Sequence, residues 1–382
     1  MRTHFDLIVV GGGIMGTFHA YHAARQNKSV LLLEKDNFPV GATVRNFGQA
    51  VPSGLAGRWF HYGRRSLELY QELQTKTDLT VRKNGSVYIA SDADEWQLAN
   101  ELYDYYQKIN YPCELLSQES CLEKYPYLQK GYPVGAVFFP GELTVDSPRL
   151  MKQFLAYCSE QEGVTYINNA TVVECQSSNG KATVRLTNQK TFEASKVLIC
   201  NGHEFRMLYP ELFAQSGLIV SKLQMLQTIA FPELDMKGNI LTGLTIRRYE
   251  SFQQLPSYTN LTTPAHYEEL KKWGIHVLFK QALDGSVVVG DSHEYAGAQN
   301  VDDLGYHIND YINQLIIDEA KRIVSFPVEK MQMSWAGFYS QTSDEIYEHD
   351  IDDHIRIITG IGGKGMTSSG GYAEESITRL FS

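Results

Sequence analysis

The chain has 382 residues, 43% of them hydrophobic, and a formal net charge of −10 at pH 7. That length suffices for a large core divided between two domains, and the negative balance argues against nucleic acid or an anionic membrane as partner. Cys113, Cys121, Cys158, Cys175 and Cys200 form no Cys-x-x-Cys pair, and His61, His203 and His293 lie scattered, so reduced thiols and no metal centre are expected. No run approaches the roughly 18 apolar residues of a membrane span, and the first apolar stretch is too short for a signal peptide. A soluble, cytoplasmic protein without an integral membrane segment is expected.

Leu7, Ile8, Val9 and Val10 read as a buried parallel strand. The strand breaks into Gly11-x-Gly13-x-x-Gly16, a helix follows through Ala24, and a second apolar strand over residues 29–33 ends on Glu34. Gly11 permits a tight turn, Gly13 lets the backbone approach a pyrophosphate, and Gly16 lets helix and strand pack closely. Amides at the helix start, around Ile14 and Met15, then face the phosphates. Glu34, followed by Lys35, stands where a carboxylate accepts hydrogen bonds from a ribose, and an acid there argues against a 2′-phosphate. The fingerprint alone does not separate FAD from NAD.

Residues 41–50 form a polar, glycine-punctuated loop that includes Thr43, Arg45, Asn46 and Gly48. Such a loop suits a segment that wraps a ligand, with a plain surface loop as the alternative. A helix is expected over 59–77, a strand containing Tyr88 over 86–90, then helical, tyrosine-rich sequence to 107 and a proline-broken stretch to 140. Ser147-Pro148 opens the next helix with a capping hydroxyl and an early proline, and Gly163 ends it. Strands are expected around 165–167 and 170–174, the latter carrying Val172 and Val173, then a hairpin turning on Asn179-Gly180. Residues 196–200 read as a buried strand that ends in Asn201-Gly202 and returns to the nucleotide-binding sheet.

From residue 216 the character changes. Alternating strands over 220–228, 244–252, 276–280 and 287–289 suggest an antiparallel sheet with one face covered, closed by a helix over 303–323. Strands over 328–338 and 355–359 follow, and a glycine-rich run over 360–371 leads into a helix ending near Phe381. No repeat or low-complexity linker separates these parts, so the domains are expected to be interleaved.

Four pieces stand in a fixed order: the fingerprint with Glu34, the loop from Thr43 to Gly48, the strand end at Asn201-Gly202, and the glycine-rich helix entry after Trp335-Ala336-Gly337. With them, essentially the whole chain resembles the FAD-dependent D-amino-acid oxidase, glycine oxidase and sarcosine oxidase superfamily, and within it a bacterial branch associated with phosphonate degradation. The resemblance implies an α/β fold. A Rossmann-like FAD-binding domain on a parallel sheet (1–83, 143–212 and 326–382) would interleave with an α+β substrate domain on an antiparallel sheet (84–142 and 213–325). It also implies FAD lying extended, its adenine end against residues 11–34 and near Val172, Val173, Asn201 and Gly202. The ring end would lie near Arg45, Asn46, Gly48, Gly337, Gly362, Gly363, Lys364, Gly365, Met366 and Thr367. A helix starting at Met366-Thr367 would then place its partial positive charge on the flavin.

The implied chemistry is loss of a hydride from the carbon next to nitrogen in a small amine, giving an imine that hydrolyses. Oxygen or another electron acceptor would complete the cycle. The transfer itself needs no side-chain acid or base, so no general base is assigned. In glycine and D-amino-acid oxidases a C-terminal arginine clamps the carboxylate, but residues 335–342 and 360–367 contain none here. Replacements are Arg45 or the segment Ile246-Arg247-Arg248-Tyr249. On a strand, Arg247 and Tyr249 would face the cavity while Arg248 shared the packed face with Leu244 and Ile246. A one-residue slip exchanges the two arginines, so both stand, with Arg45, Tyr249 and Lys364, as candidates for handling substrate. A guanidinium fork fits a carboxylate or a phosphonate, and two or more cations favour the dianion. Lys222 is read as a surface residue or as one that assists flavin or substrate; Tyr258 and Tyr339 are candidate pocket walls.

The expected function is FAD-dependent oxidation of a C–N bond in a small amine bearing an acidic group, with aminoalkylphosphonates or their N-methyl forms preferred. The alternatives are an ordinary amino acid as substrate, a NAD-dependent dehydrogenase, and a flavin-binding protein without catalysis.

Overall fold

A computed structural model describes residues 2–382. The strand His4–Val10 lies inside an eight-stranded sheet. It pairs in parallel with Val30–Leu33 on one side and Thr191–Ile199 on the other, and Thr165–Ile167 and Ile355–Thr359 extend the parallel row. These strands are near-continuous apolar runs because both faces are covered. Leu7, Val9 and Leu32 pack beneath the helices Ile14–Arg25, Gly57–Gln74, Ser147–Glu160 and Gly365–Phe381. Ile8, Leu31 and Leu33 face the hairpin of Val172–Ser178 and Lys181–Leu186. Its turn residues Asn179 (φ 51°) and Gly180 (φ 76°) adopt the positive φ expected of that dipeptide.

A second, nine-stranded sheet is built around Ile219–Thr228, which pairs with Met331–Gln341, Glu294–Gly297 and Val287–Gly290. Its pairings are antiparallel except between Asn239–Leu241 and Ser86–Ala90. Val87, Ile89, Leu226, Phe279 and Val289 bury one face under Ile312, Ile316 and Ala320 of the helix Asp310–Ile323. The opposite face carries Tyr88, Met225, Leu241 and Leu278. Among the described residues no helix is long and apolar enough to cross a membrane.

Several local expectations are corrected. Residues 244–252 are not a strand but two short helices, Gly243–Ile246 and Glu250–Gln253. Gly243 lies against the Glu95 carboxylate, where a Cβ would collide with it, and every residue of the first turn is buried. A four-residue apolar turn buried all round offers no period by which helix and strand could be told apart. The strand Met331–Gln341, which falls within the expected cofactor segment 326–382, pairs into the second sheet. Its ladder with Ile219–Thr228 runs from Gln341 opposite Ile219 to Met331 opposite Thr228. The helix expected from 303 starts at Asp310, capped by Asn309, because Gly305 (φ 58°) breaks the chain after a 3₁₀ segment. At residue 147 the cap is the Asp146 carboxylate, which accepts from Arg149 N at 3.0 Å, while the Ser147 hydroxyl donates to Asn46 Oδ1 at 2.9 Å.

Candidate active site

The glycine turn after the first strand and the glycine-rich run near the C-terminus meet at one cavity of about 950 Å³. The parallel sheet contributes Gly11, Gly13, Ile14, Met15, Glu34, Lys35, Val172, Asn201 and Gly202 to its lining. The loop and the helix start add Thr43, Arg45, Asn46, Gly362, Gly363, Lys364, Gly365, Met366 and Thr367. From the second sheet and its short helices come Ser221, Arg248, Tyr249, His276, Asp291, His293 and Tyr339.

The first end is held by local geometry. Gly11 sits at φ +107°, and a Cβ there would collide with the Cys200 carbonyl, so the turn requires glycine. Gly12 N donates to Glu34 Oε2 at 2.8 Å and Asp36 N to Glu34 Oε1 at 3.0 Å, which braces the buried carboxylate at the lip of the cavity. Ile14 N donates to Thr43 Oγ1 at 3.1 Å, fastening the polar loop to the helix start. That helix has no side-chain cap, and neither has the C-terminal helix Gly365–Phe381. Apart from Ile14 N, their first-turn amides are thus left without a cap from their own N-cap residues, and such amides are the usual place for anionic groups.

Five expected site residues do not line the cavity: Gly16, Gly48, Val173, Gly337 and Arg247. Gly16 permits close packing, since a Cβ would collide with the Gly11 carbonyl. Gly48 (φ +70°) is pressed against Val145 O and the Lys280 ammonium. Val173 alternates away from Val172 along its strand. Gly337 supports the wall from behind, with a Cβ there meeting the Tyr339 ring at 3.2 Å and Arg45 Cβ at 3.5 Å.

The arginine pair resolves the opposite way from the strand expectation. Arg247 turns from the cavity and binds Glu95 Oε1 and Asp92 Oδ2, each at 2.5 Å. Arg248 lines the cavity instead, held by Tyr295 Oη at 3.1 Å and Gly274 O at 3.5 Å, and among the described residues no carboxylate oxygen comes within 4 Å of it. The helical turn places successive side chains about 100° apart, which the alternation of a strand does not describe. Of the other cations, Lys364 pairs with Glu250 at 3.0 Å and Arg206 with Asp302 at 2.7 Å. Arg45 donates to two carbonyls, Val40 O at 2.7 Å and Ala336 O at 3.0 Å.

Lys222 is neither on the surface nor on the cavity wall. It is buried and donates to Leu304 O and His307 O, both at 2.8 Å, which anchors the segment before the helix Asp310–Ile323. Tyr258 lies outside the lining, its hydroxyl on Arg247 O, whereas Tyr339 forms part of the wall and burial raises its pKa well above the usual phenol value.

Sequence analysis missed His276, Asp291 and Ser221, and it treated His293 as isolated. His276 and Asp291 exchange backbone hydrogen bonds (3.1 and 2.8 Å) across the hairpin whose strands are Leu278–Gln281 and Val287–Gly290. Their side chains meet with His276 Nε2 at 2.9 Å from Asp291 Oδ1, and His293 Nδ1 lies 3.9 Å from the same oxygen. Both strands were recognised in the sequence, but extending their register (Leu278 opposite Gly290) sets His276 opposite Ser292, so the one-residue shift that brings His276 to Asp291 is decided only in the folded chain. Burial pushes the His293 imidazole down to about 3, so it is neutral. Its Nδ1 lies 2.9 Å from Gly274 O and carries the proton there.

Whether these residues fit a dinucleotide can be judged from polar atoms left without partners. Gln49 Nε2, Asn201 Oδ1 and Ser221 Oγ are buried, belong to cavity-lining residues and have no hydrogen-bond partner in the protein. Buried polar groups are normally satisfied, so a polar ligand along this cavity fits them. With Glu34, two uncapped helix starts and a turn that admits no Cβ, the lining suits an extended FAD.

The chain is similar in sequence to glycerol 3-phosphate dehydrogenase of Caloramator mitchellensis, 22% identical over 384 residues, covering 96% of this chain and 71% of that one. It is 25% identical to glycine oxidase of Geobacillus kaustophilus over 216 residues, covering 53% of this chain and 55% of that one. It thus spans about half the length of that relative, and only 23% of the mouse pyruvate dehydrogenase phosphatase regulatory subunit, which it matches at 25% identity. The crystal structure of that glycine oxidase superposes with a TM-score of 0.78 at 18% identity, covering 99% of this chain and 95% of that chain. L-α-glycerophosphate oxidase of Mycoplasma pneumoniae with FAD bound gives the same TM-score, identity and coverage. The family described as FAD dependent oxidoreductase matches residues 6–378, and the chain belongs to it.

Proposed function

We propose that the chain oxidises a C–N bond in a small amine bearing an acidic group, with an aminoalkylphosphonate or its N-methyl form as the substrate class. The observation that carries this reading is Arg248, a guanidinium on the cavity wall with no carboxylate within 4 Å. A paired arginine is electrically spent, whereas this one remains free to bind a carboxylate or phosphonate through its fork. Residues 335–342, which include Tyr339, and residues 360–367 carry no arginine, so the acid is bound from a different wall. Arg45, which also lines the cavity and donates only to the carbonyls Val40 O and Ala336 O, adds further positive potential, which favours a dianion. The relative named for glycerol 3-phosphate, matched over 96% of this chain, supports a phosphorus oxyanion at this place.

FAD, when bound, supplies the hydride acceptor, and the protein supplies orientation and electrostatics. Glu34, the amides after Gly13 and the strand ends at Val172 and Asn201 hold its nucleotide half; Thr43, Asn46 and residues 362–367 hold the other. Tyr249 and Tyr339 form dry walls that restrict how the amine carbon sits. In this reading residues 1–83 and 143–212, with the C-terminal helix, form the cofactor unit, and 84–142 with 213–341 form the substrate unit. Oxygen or another acceptor takes the electrons.

A second reading, oxidation of a phosphorylated alcohol, is favoured by the match to glycerol 3-phosphate dehydrogenase over 96% of this chain and 71% of that one. Anaerobic mixing of the yellow enzyme with 2-aminoethylphosphonate, its N-methyl form, glycine, D-alanine and glycerol 3-phosphate separates them. Bleaching of the flavin by the phosphonate amines is expected; bleaching by glycerol 3-phosphate or the amino acids alone would overturn the proposal.

A further inference from the structure

We infer that Asp291 is the group that recognises the substrate's amine, so that the cavity takes a zwitterion with its cation at Asp291 and its anion at Arg248. This rests on the proposed function and narrows it from acid-bearing molecules to those carrying an ammonium as well.

Asp291 is buried, its residue only 6% exposed, yet it lines the cavity. Its Oδ1 receives no hydrogen bond of good geometry, although His276 Nε2 approaches it to 2.9 Å. Arg248 is not its counter-ion, since no nitrogen of that guanidinium comes within 4 Å of it. An unsatisfied carboxylate in such a place is costly unless something cationic or donating completes it. Burial is the largest influence on Asp291 and opposes its ionisation, but the neighbouring His276, His293 and Arg248 together outweigh it and hold its pKa below the usual carboxylate range. The Ser221 hydroxyl, also buried and unpartnered, lines the same cavity.

The three side chains His276, Asp291 and His293 also have the composition of a metal site, with ligand atoms within 4.8 Å of one another. The His293 Nδ1 proton on Gly274 O removes that nitrogen from any metal, and the 2.9 Å contact between Asp291 and His276 is closer than the roughly 3.3 Å that separates tetrahedral zinc ligands. An ammonium needs only the exposed side of the carboxylate. Before a hydride can leave, one N–H bond of that ammonium breaks. Its electron pair stays on nitrogen, and the proton joins the Asp291–His276 pair. A hydroxyl at the same position has no charge to offer Asp291.

The test is isothermal titration of FAD-loaded, dithionite-reduced enzyme, in which no hydride can leave, with 2-aminoethylphosphonate, 2-hydroxyethylphosphonate and ethylphosphonate. In the unaltered enzyme the amine is expected to bind about tenfold or more tighter than the other two, as a charge-assisted contact would give. Asp291→Asn, checked for retained flavin, should remove that advantage and leave ethylphosphonate within about twofold, while Arg248→Met should weaken all three. Equal affinities for the three ligands in the unaltered enzyme would overturn the inference whether or not the Asn variant folds. So would an Asn variant that keeps the amine's advantage, or amine binding lost on chelation and restored by zinc. If the inference fails in one of these ways while phosphonate amines still bleach the flavin, the proposed function stands without it. If no phosphonate binds and none bleaches the flavin, the proposed function itself fails.

Discussion

The two ends of the cavity are built by different means. At the nucleotide end, Gly11, Gly13, Ile14 and Glu34 lie within one strand–turn–helix–strand unit, and their contacts follow from hydrogen bonds inside it, such as Gly12 N to Glu34 Oε2 at 2.8 Å. At the other end, Arg248, His276, Asp291 and Tyr339 come from separate stretches of the chain, joined by pairing in the second sheet and by a buried ion pair behind it. The first end can be disturbed only by changing its own residues. The second can be disturbed from behind, by residues that never touch a ligand.

Breaking the ion pair behind the wall is expected to have the largest effect. Arg247→Met leaves the fully buried Glu95 and its neighbour Asp92 without their guanidinium, which should cost about 3–5 kcal/mol of stability, read as a large fall in Tm. At a temperature where the variant is folded, its KM should change little, because Arg247 is not on the cavity wall. A large KM effect with an unchanged Tm would reverse the assignment of the two arginines.

At the nucleotide end, Gly11→Ala forces a Cβ toward the Cys200 carbonyl at φ +107°. Strain of about 3 kcal/mol corresponds to roughly a hundredfold loss of FAD affinity, measured as flavin absorbance per mole of purified protein. A fully yellow variant would show that this turn tolerates what the geometry forbids.

Away from the cavity lining, the buried Glu142 accepts at Oε1 from Ser53 N at 2.8 Å and Tyr111 Oη at 3.2 Å. Burial pushes its carboxyl up to about 7 from the usual 4.5. The folded state therefore holds a proton that the unfolded chain has released. Stability from this group is fully present below about 4.5 and is lost as pH rises through 7. The loss is worth at most about 3 kcal/mol. Glu142→Gln should flatten this slope, and urea titrations of both forms at pH 5 and pH 8 check it, with parallel changes in the two forms counting against Glu142.

The smallest effect belongs to the cation on the wall itself. Arg248→Met should raise KM for an acid-bearing amine by roughly thirtyfold, about 2 kcal/mol, without lowering Tm, since no carboxylate depends on it. Together with Arg247→Met this forms a crossed pair: one arginine supports the wall and its neighbour in sequence faces the cavity.

The sequence by itself determined the cofactor end. A buried strand, a turn demanding glycine, a helix start and an acid at the end of the next strand all lie within about thirty residues, and each acts through local geometry. It also determined the course of most strands, because their apolar periodicity survives whatever they pack against. The tertiary structure alone decided which arginine lines the cavity, that Lys222 is buried as an anchor, and that His276, Asp291 and His293 stand together. Those outcomes depend on a buried helical turn that has no readable period and on strand register set by distant partners. A single residue of slip or turn there sends a side chain to the opposite face.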